Sequence, residues 1–94
     1  MTEPTTDGQL LWEYVSQQSP RAFEALVQRH ADLVFATAVR RLGDVEAAQE
    51  VAQNVFIALA RKAGRLRVEV SLAGWLHKTA VLESLRWWRD DLRR

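Results

Sequence analysis

The side chains best equipped for chemistry lie near the C-terminal end, in GWLHKTAVLESLRWWRDDLRR, where Trp75, Trp87 and Trp88 are interleaved with Lys78, Arg86, Arg89, Arg93 and Arg94. Indole rings stack on unpaired nucleobases and guanidinium groups hold phosphates, so such a surface suits single-stranded nucleic acid better than intact duplex. The same rings can instead pack a helix against a core. Arg61, Lys62, Arg65 and Arg67 lie just upstream and would add charge that a phosphate backbone neutralises.

Other chemistries find little footing. Cysteine is absent, which removes disulfides and thiolate metal sites. His30 and His77 are isolated from each other, and no His/Glu pair has metal-ligand spacing. His30 falls on an apolar helical face, where a hydrogen-bonded structural histidine is expected. Glu46 and Glu50 stand one helical turn apart, as on any solvated helix face, and no phosphate-cradling glycine loop is present. The expectation is a protein that is not an enzyme and needs neither metal nor cofactor.

Charge is unevenly distributed. Residues 1–60 carry four basic against eight acidic side chains, and residues 61–94 carry nine against four, although the net charge is only +1. A polyanion partner at the C-terminal end and a different partner elsewhere would explain the gradient, and so would a merely solvated surface. With 94 residues, 48% of them hydrophobic, the chain supports one domain spanning 1–94 with a single core. The polar, acidic N-terminus MTEPTTDGQ is unlike a secretory signal, and no apolar run approaches the ~20 residues of a membrane span. These features point to a cytoplasmic protein without membrane contact.

Four helices must position these groups, and the periodicity shows no strand pair. The first is expected over Asp7 to Gln17, capped by Asp7, with Leu10, Leu11, Tyr14 and Val15 on its stripe and Trp12 off it. Ser19-Pro20 offers an N-cap and a first-turn proline for the second, whose stripe is Phe23, Leu26, Val27, His30, Leu33, Val34, Thr37 and Ala38, with Gly43 as its stop. Asp44 caps the third; Glu46 in its first turn and Arg61 and Lys62 in its last complement the dipole. Its apolar stripe is Ala48, Val51, Ala52, Val55, Leu59 and Ala63, while Gln49, Glu50, Gln53, Asn54 and Ile57 form a second, lightly charged face. Gly64 to Val70 lacks helical period and reads as a loop, and Ser71 caps the fourth helix. The fold class is therefore all-α, a compact bundle of about four helices.

On the fourth helix a wheel places Leu72, Trp75, Leu76, Thr79, Ala80 and Leu82 toward the core. His77, Val81, Leu85 and Trp88 form a second stripe roughly opposite, which an isolated small domain has little reason to carry and which is expected to meet a partner or a flanking segment. Trp87 sits near the core edge, where core packing and base stacking both remain open.

Taken in order, AFEALVQRH, GDVEAAQEVAQNVFIALARKA and LAGWLHKTA resemble region 2 of bacterial extracytoplasmic-function sigma factors, from about Leu10 to Arg94. The resemblance implies a transcription initiation factor domain that binds the clamp helices, a coiled coil in the beta-prime subunit of RNA polymerase, and that recognises and helps to melt the promoter minus-ten element. By position, Glu50, Gln53, Asn54 and Ile57 would contact the polymerase. The segment from about Lys62 to Ser71 would capture a flipped-out base of the non-template single strand, and the fourth helix would track adjacent DNA. Lys62, Arg65, Arg67, Lys78, Arg86, Trp88 and Arg89 are the candidate DNA-binding residues. Where many members carry an asparagine and then an acidic or amide residue, this chain has Leu82 and Arg86.

The family's second domain, region 4, reads the minus-thirty-five element and has no counterpart before Arg94, so the resemblance implies a truncated chain or a domain that awaits its other half. The second apolar stripe of helix four is then a candidate seat for that missing part or for an anti-sigma factor. A sigma-like decoy that sequesters an anti-sigma factor without touching DNA is the alternative function.

Overall fold

The computed structural model describes residues 5–66 and 71–92. Helix α1 spans Asp7–Gln17, α2 Pro20–Leu42, α3 Val45–Lys62 and α4 Leu72–Leu92, with a 3-10 turn at Ala63–Arg65, and no strand occurs among the described residues. The all-α expectation holds, with every helix start within one residue of where the capping signals place it.

Local chemistry explains the boundaries. Thr6, not Asp7, is the N-cap of α1: its hydroxyl accepts from the Gln9 amide, and the Gln9 side chain accepts in return from the Thr6 N–H, forming a capping box. Asp7 is thereby left in the first turn, free to face α2. Ser19 caps α2 ahead of Pro20, and Gly43 ends it in the left-handed region at φ 66°, sending its N–H to the Val39 carbonyl. Asp44 accepts from the Glu46 and Ala47 amides to start α3, and Ser71 Oγ accepts from the Gly74 N–H to start α4. Gln18, between α1 and α2, takes a left-handed conformation at φ 51° without being glycine, a cost the short connection imposes.

Helix α2 is the spine, packing against α1, α3 and α4, while α3 and α4 also pack on each other. Its Leu26, Val34 and Ala38 are fully buried among Val51, Val55 and Leu59 of α3 and Leu76 and Ala80 of α4. Ala22, Ala38, Ala47, Ala48, Ala80 and Ser84 are buried as well, so much of each contact face is small and lets the helix axes come close. The buried hydroxyls do not compete with this packing, because Thr37 and Ser84 each donate to the carbonyl one turn earlier, at 2.8 Å.

Three stripe assignments need correction. Val15 and Leu33 are 46% and 39% exposed, at the edges of their helices' buried faces. Leu82 is 55% exposed, although the wheel put it with the core. The reason is the spacing of the buried residues of α4: Leu72, Leu76, Ala80 and Ser84 recur every fourth residue. Because a turn takes 3.6 residues, each such step rotates the buried line by about 40°, carrying it away from Leu82 and toward Ser84.

A polar latch joins α1 to α2. Buried His30 donates from Nε2 to the Asp7 carboxylate at 3.0 Å, and Arg29 Nη1 donates to Asp7 Oδ1 at 2.9 Å. The structural role expected of His30 is met by this pairing. Partial burial pushes the Asp7 carboxyl up, but the hydrogen bonds and positive charge of His30 and Arg29 more than offset that and hold it below its ordinary value of 3.8.

A carboxylate held low contributes stability above its unfolded-state pKa that is lost as the pH falls through the folded one. Asp7→Asn is therefore expected to cost about 1 kcal/mol near neutral pH, the size of a charge-assisted bond discounted for solvent exposure. In urea melts the gap between wild type and variant should close as the pH drops below the ordinary carboxylate value of 3.8. Leu76→Ala, at a fully buried position, should cost about 2–5 kcal/mol in the same assay.

Candidate protein-binding and nucleic-acid surfaces

The outward face of α3 follows from its inward one. With Ala47, Ala48, Val51, Val55 and Leu59 turned to the core, Glu50, Gln53, Asn54 and Ile57 are left exposed along a single stripe of i, i+3, i+4, i+7 spacing. Ile57 is 42% exposed and stands beside two amides and a carboxylate. An apolar anchor within a rim of two amides and one carboxylate, with no cation, is the composition of a protein-binding helix face rather than of a phosphate-binding one.

The basic surface lies on the 3-10 turn and α4. Lys62 and Arg65 are exposed at the end of α3 and in the turn; Arg67 lies outside the described residues. On α4, Lys78, Arg86 and Arg89 are exposed on the side away from the core, interspersed with Leu82 and Leu85. Arg86 is partly tied to Glu83 by a 3.5 Å ion pair but keeps 64% of its side chain in solvent. The strip therefore combines cations with exposed apolar side chains.

The turn and the start of α4 also shape a groove of about 410 Å³. Leu66, Ser71 and Leu72 face Leu11, Trp12 and Val15 of α1 across it, and Trp12 is 63% exposed. Sequence periodicity put Trp12 off the α1 core stripe but gave no sign of what it would border; that depends on α1 folding back over the 3-10 turn.

The tryptophans divide in function. Trp75 and Trp87 are half-buried and pack against the core, so for these two the packing reading is the observed one. Trp88 meets Trp87 edge to face, with centroids 5.7 Å apart, and its Nε1–H donates to the Arg41 carbonyl at 3.3 Å. That carbonyl belongs to the last turn of α2, where helix geometry leaves acceptors unpaired. The second stripe of α4 thus has part of its partner within the domain: His77, Leu85 and Trp88 share a groove of about 460 Å³ with Thr37, Arg40 and Arg41 of α2. Sequence reasoning placed neither arginine at a site, since cations in a last helical turn are explained by the dipole alone.

A family model for Sigma-70 region 2 matches residues 26–94. The chain belongs to the Sigma-70 region 2 family. It is thus a sigma-factor region 2 domain. Among characterised proteins, the RNA polymerase sigma-H factor of Pseudomonas aeruginosa is 34% identical over 73 residues, covering 78% of this sigma domain and 38% of that protein. The domain therefore spans well under half the length of that relative. No solved structure matches it. Among the described residues, no helix of the sigma domain is long and apolar enough to cross a membrane.

Replacing the Trp88 indole by a phenyl ring removes its N–H donor and part of its ring surface, and so weakens the α2–α4 tie. Trp88→Phe is expected to lower stability by about 0.5–1 kcal/mol while leaving helix content unchanged, as read by circular dichroism during chemical denaturation.

Proposed function

We propose that this sigma domain is of the extracytoplasmic-function type, acts in the cytoplasm, and works through two separate surfaces. Glu50, Gln53, Asn54 and Ile57 on α3 bind the beta-prime clamp helices of RNA polymerase. Lys62, Arg65, Arg67, Lys78, Arg86, Trp88 and Arg89 hold promoter DNA, including the non-template single strand of the minus-ten element, during its recognition and melting.

The observation that carries the reading is the separation of the two faces by character on one bundle: a lightly charged stripe with an exposed isoleucine on α3, and a cationic strip on the turn and α4. The outward positions of a protein coiled coil carry polar and charged side chains that the amides and the carboxylate of the first can meet. Promoter DNA offers phosphates to the second, and unpaired bases offer flat apolar faces to the groove beside Trp12. Leu82, exposed where many family members carry asparagine, presents a methyl-rich side chain instead of an amide, which favours apolar contact such as the thymine methyl over amide hydrogen bonding.

The decoy alternative draws no support from either match, and the exposed cationic strip argues against it. An anti-sigma factor remains a second class of protein partner within this reading, and a region 4 domain the natural companion of the polymerase-bound state.

Asn54→Arg places a long cation at the centre of the α3 stripe without touching the core. A pull-down with the isolated clamp-helix segment of a bacterial RNA polymerase should capture the wild type and lose this variant; equal capture of both would remove α3 from the interface. On the DNA side, Arg65→Ala with Lys78→Ala should weaken binding to a melted promoter fragment and lower the magnitude of its salt slope by up to about two.

A further inference from the structure

The groove between α2 and α4 contains features that the preceding surfaces do not use. Its walls are Arg40 and Arg41 on one side and His77, Leu85 and Trp88 on the other, with Thr37 and Ser84 also lining it. No carboxylate lines it, in a chain whose acidic groups nearly equal its basic ones, 12 against 13. Arg40 and Arg41 are both exposed. Among the described residues neither forms an ion pair, whereas Arg29 and Arg86 do. Arg40 Nε donates to the Ala36 carbonyl at 3.3 Å, which directs the side chain while leaving its terminal nitrogens for another acceptor. The helix dipole makes two cations tolerable at this end of α2, but it does not account for their standing beside the Lys78 and Arg89 strip of α4, whose carboxylates Glu83, Asp90 and Asp91 do not line the groove.

We propose that this groove binds backbone phosphates of duplex DNA, with Arg40 and Arg41 as its ligands, widening the DNA surface of α4 to a two-helix platform. The proposal rests on the reading that α4 faces DNA. Leu85, which lines the groove, stands one turn from Arg89 and two turns from Lys78 on the same side of α4, so the groove borders the cationic strip. Packed helices lie about 8–10 Å apart, so a backbone resting on α4 passes within reach of long side chains from α2. Trp88 is the fixed element: its bond to the Arg41 carbonyl and its edge contact with Trp87 hold the ring in place. The two helices therefore present their cations at a set separation, which lowers the ordering cost of phosphate binding. An acidic protein helix is the competing occupant, but such a helix docks through several apolar anchors, and this groove offers only Leu85 and an already engaged Trp88.

The test compares wild type, Arg40→Gln/Arg41→Gln and Lys78→Gln/Arg89→Gln for binding to a short fluorescein-labelled duplex, by anisotropy across a salt series, with and without bacterial core RNA polymerase. Circular dichroism and urea midpoints establish folding of each variant. The expected result is a slope of log K against log salt smaller by about two in Arg40→Gln/Arg41→Gln, with stability retained. An unchanged slope in that variant, alongside a reduced one in Lys78→Gln/Arg89→Gln, would overturn the groove proposal and leave α4 as the DNA surface. No salt-dependent binding by wild type under either condition would overturn both. Loss of binding to a fluorescent polyglutamate peptide, with the DNA slope intact, would assign the groove to an acidic protein instead and likewise reject the proposal.

Discussion

Everything in this domain depends on α2 being covered by three helices at once. A 23-residue helix with buried positions from Ala22 to Leu42 cannot satisfy that face against a single neighbour. The solution is a set of close contacts built on small residues: Ala38 in α2, Ala47 and Ala48 in α3, Ala80 and Ser84 in α4. Leu26, Val34, Val51, Val55, Leu59 and Leu76 fill the remaining space with no exposed surface. Since close packing leaves little room for rotation, the azimuth of α3 and α4 is set by their inward residues, and the outward faces follow as a geometric complement.

This explains how so small a domain can carry two surfaces of unlike chemistry. The stripe in the middle of α3 carries two amides, one carboxylate and an isoleucine; the strip from the end of α3 through the turn and along α4 carries Lys62, Arg65, Lys78, Arg86 and Arg89. Both helices touch α2 and each other, so neither face can turn without disturbing the core that the other shares. A sigma domain that had to engage a protein and a polyanion together would benefit from this rigidity, because the separation of the two partners would be built in before either arrives.

The connection between α1 and the rest rests on different physics. Few fully buried side chains hold α1, Leu10 being the one in its span, and the Asp7 latch to His30 and Arg29 supplies a polar tie in place of apolar area. Such a tie is specific in register. It is also weaker than core burial and sensitive to acid, which makes α1 the element of the bundle with the least to lose on detachment.

The helices, their ends and the identity of most core positions were legible in the sequence because their causes are local. Ser19-Pro20, Gly43, Asp44 and Ser71 act within one turn of themselves, and 3.6-residue periodicity is a property of single helices. The α3 stripe was legible for the same reason: four residues at i, i+3, i+4 and i+7 share a face whatever surrounds them. What tertiary structure alone decided is everything that depends on a second element. The capping box at Thr6 released Asp7 to seek His30, a partner 23 residues away. The four-residue spacing of buried positions on α4 turned Leu82 outward, an outcome set by the line along which α4 meets its neighbours. The indole of Trp88 found the carbonyl of Arg41 because two helices end side by side, and that same juxtaposition gathered Arg40 and Arg41 against His77 and Leu85. Periodicity assigns a residue to a face; only packing determines what that face meets.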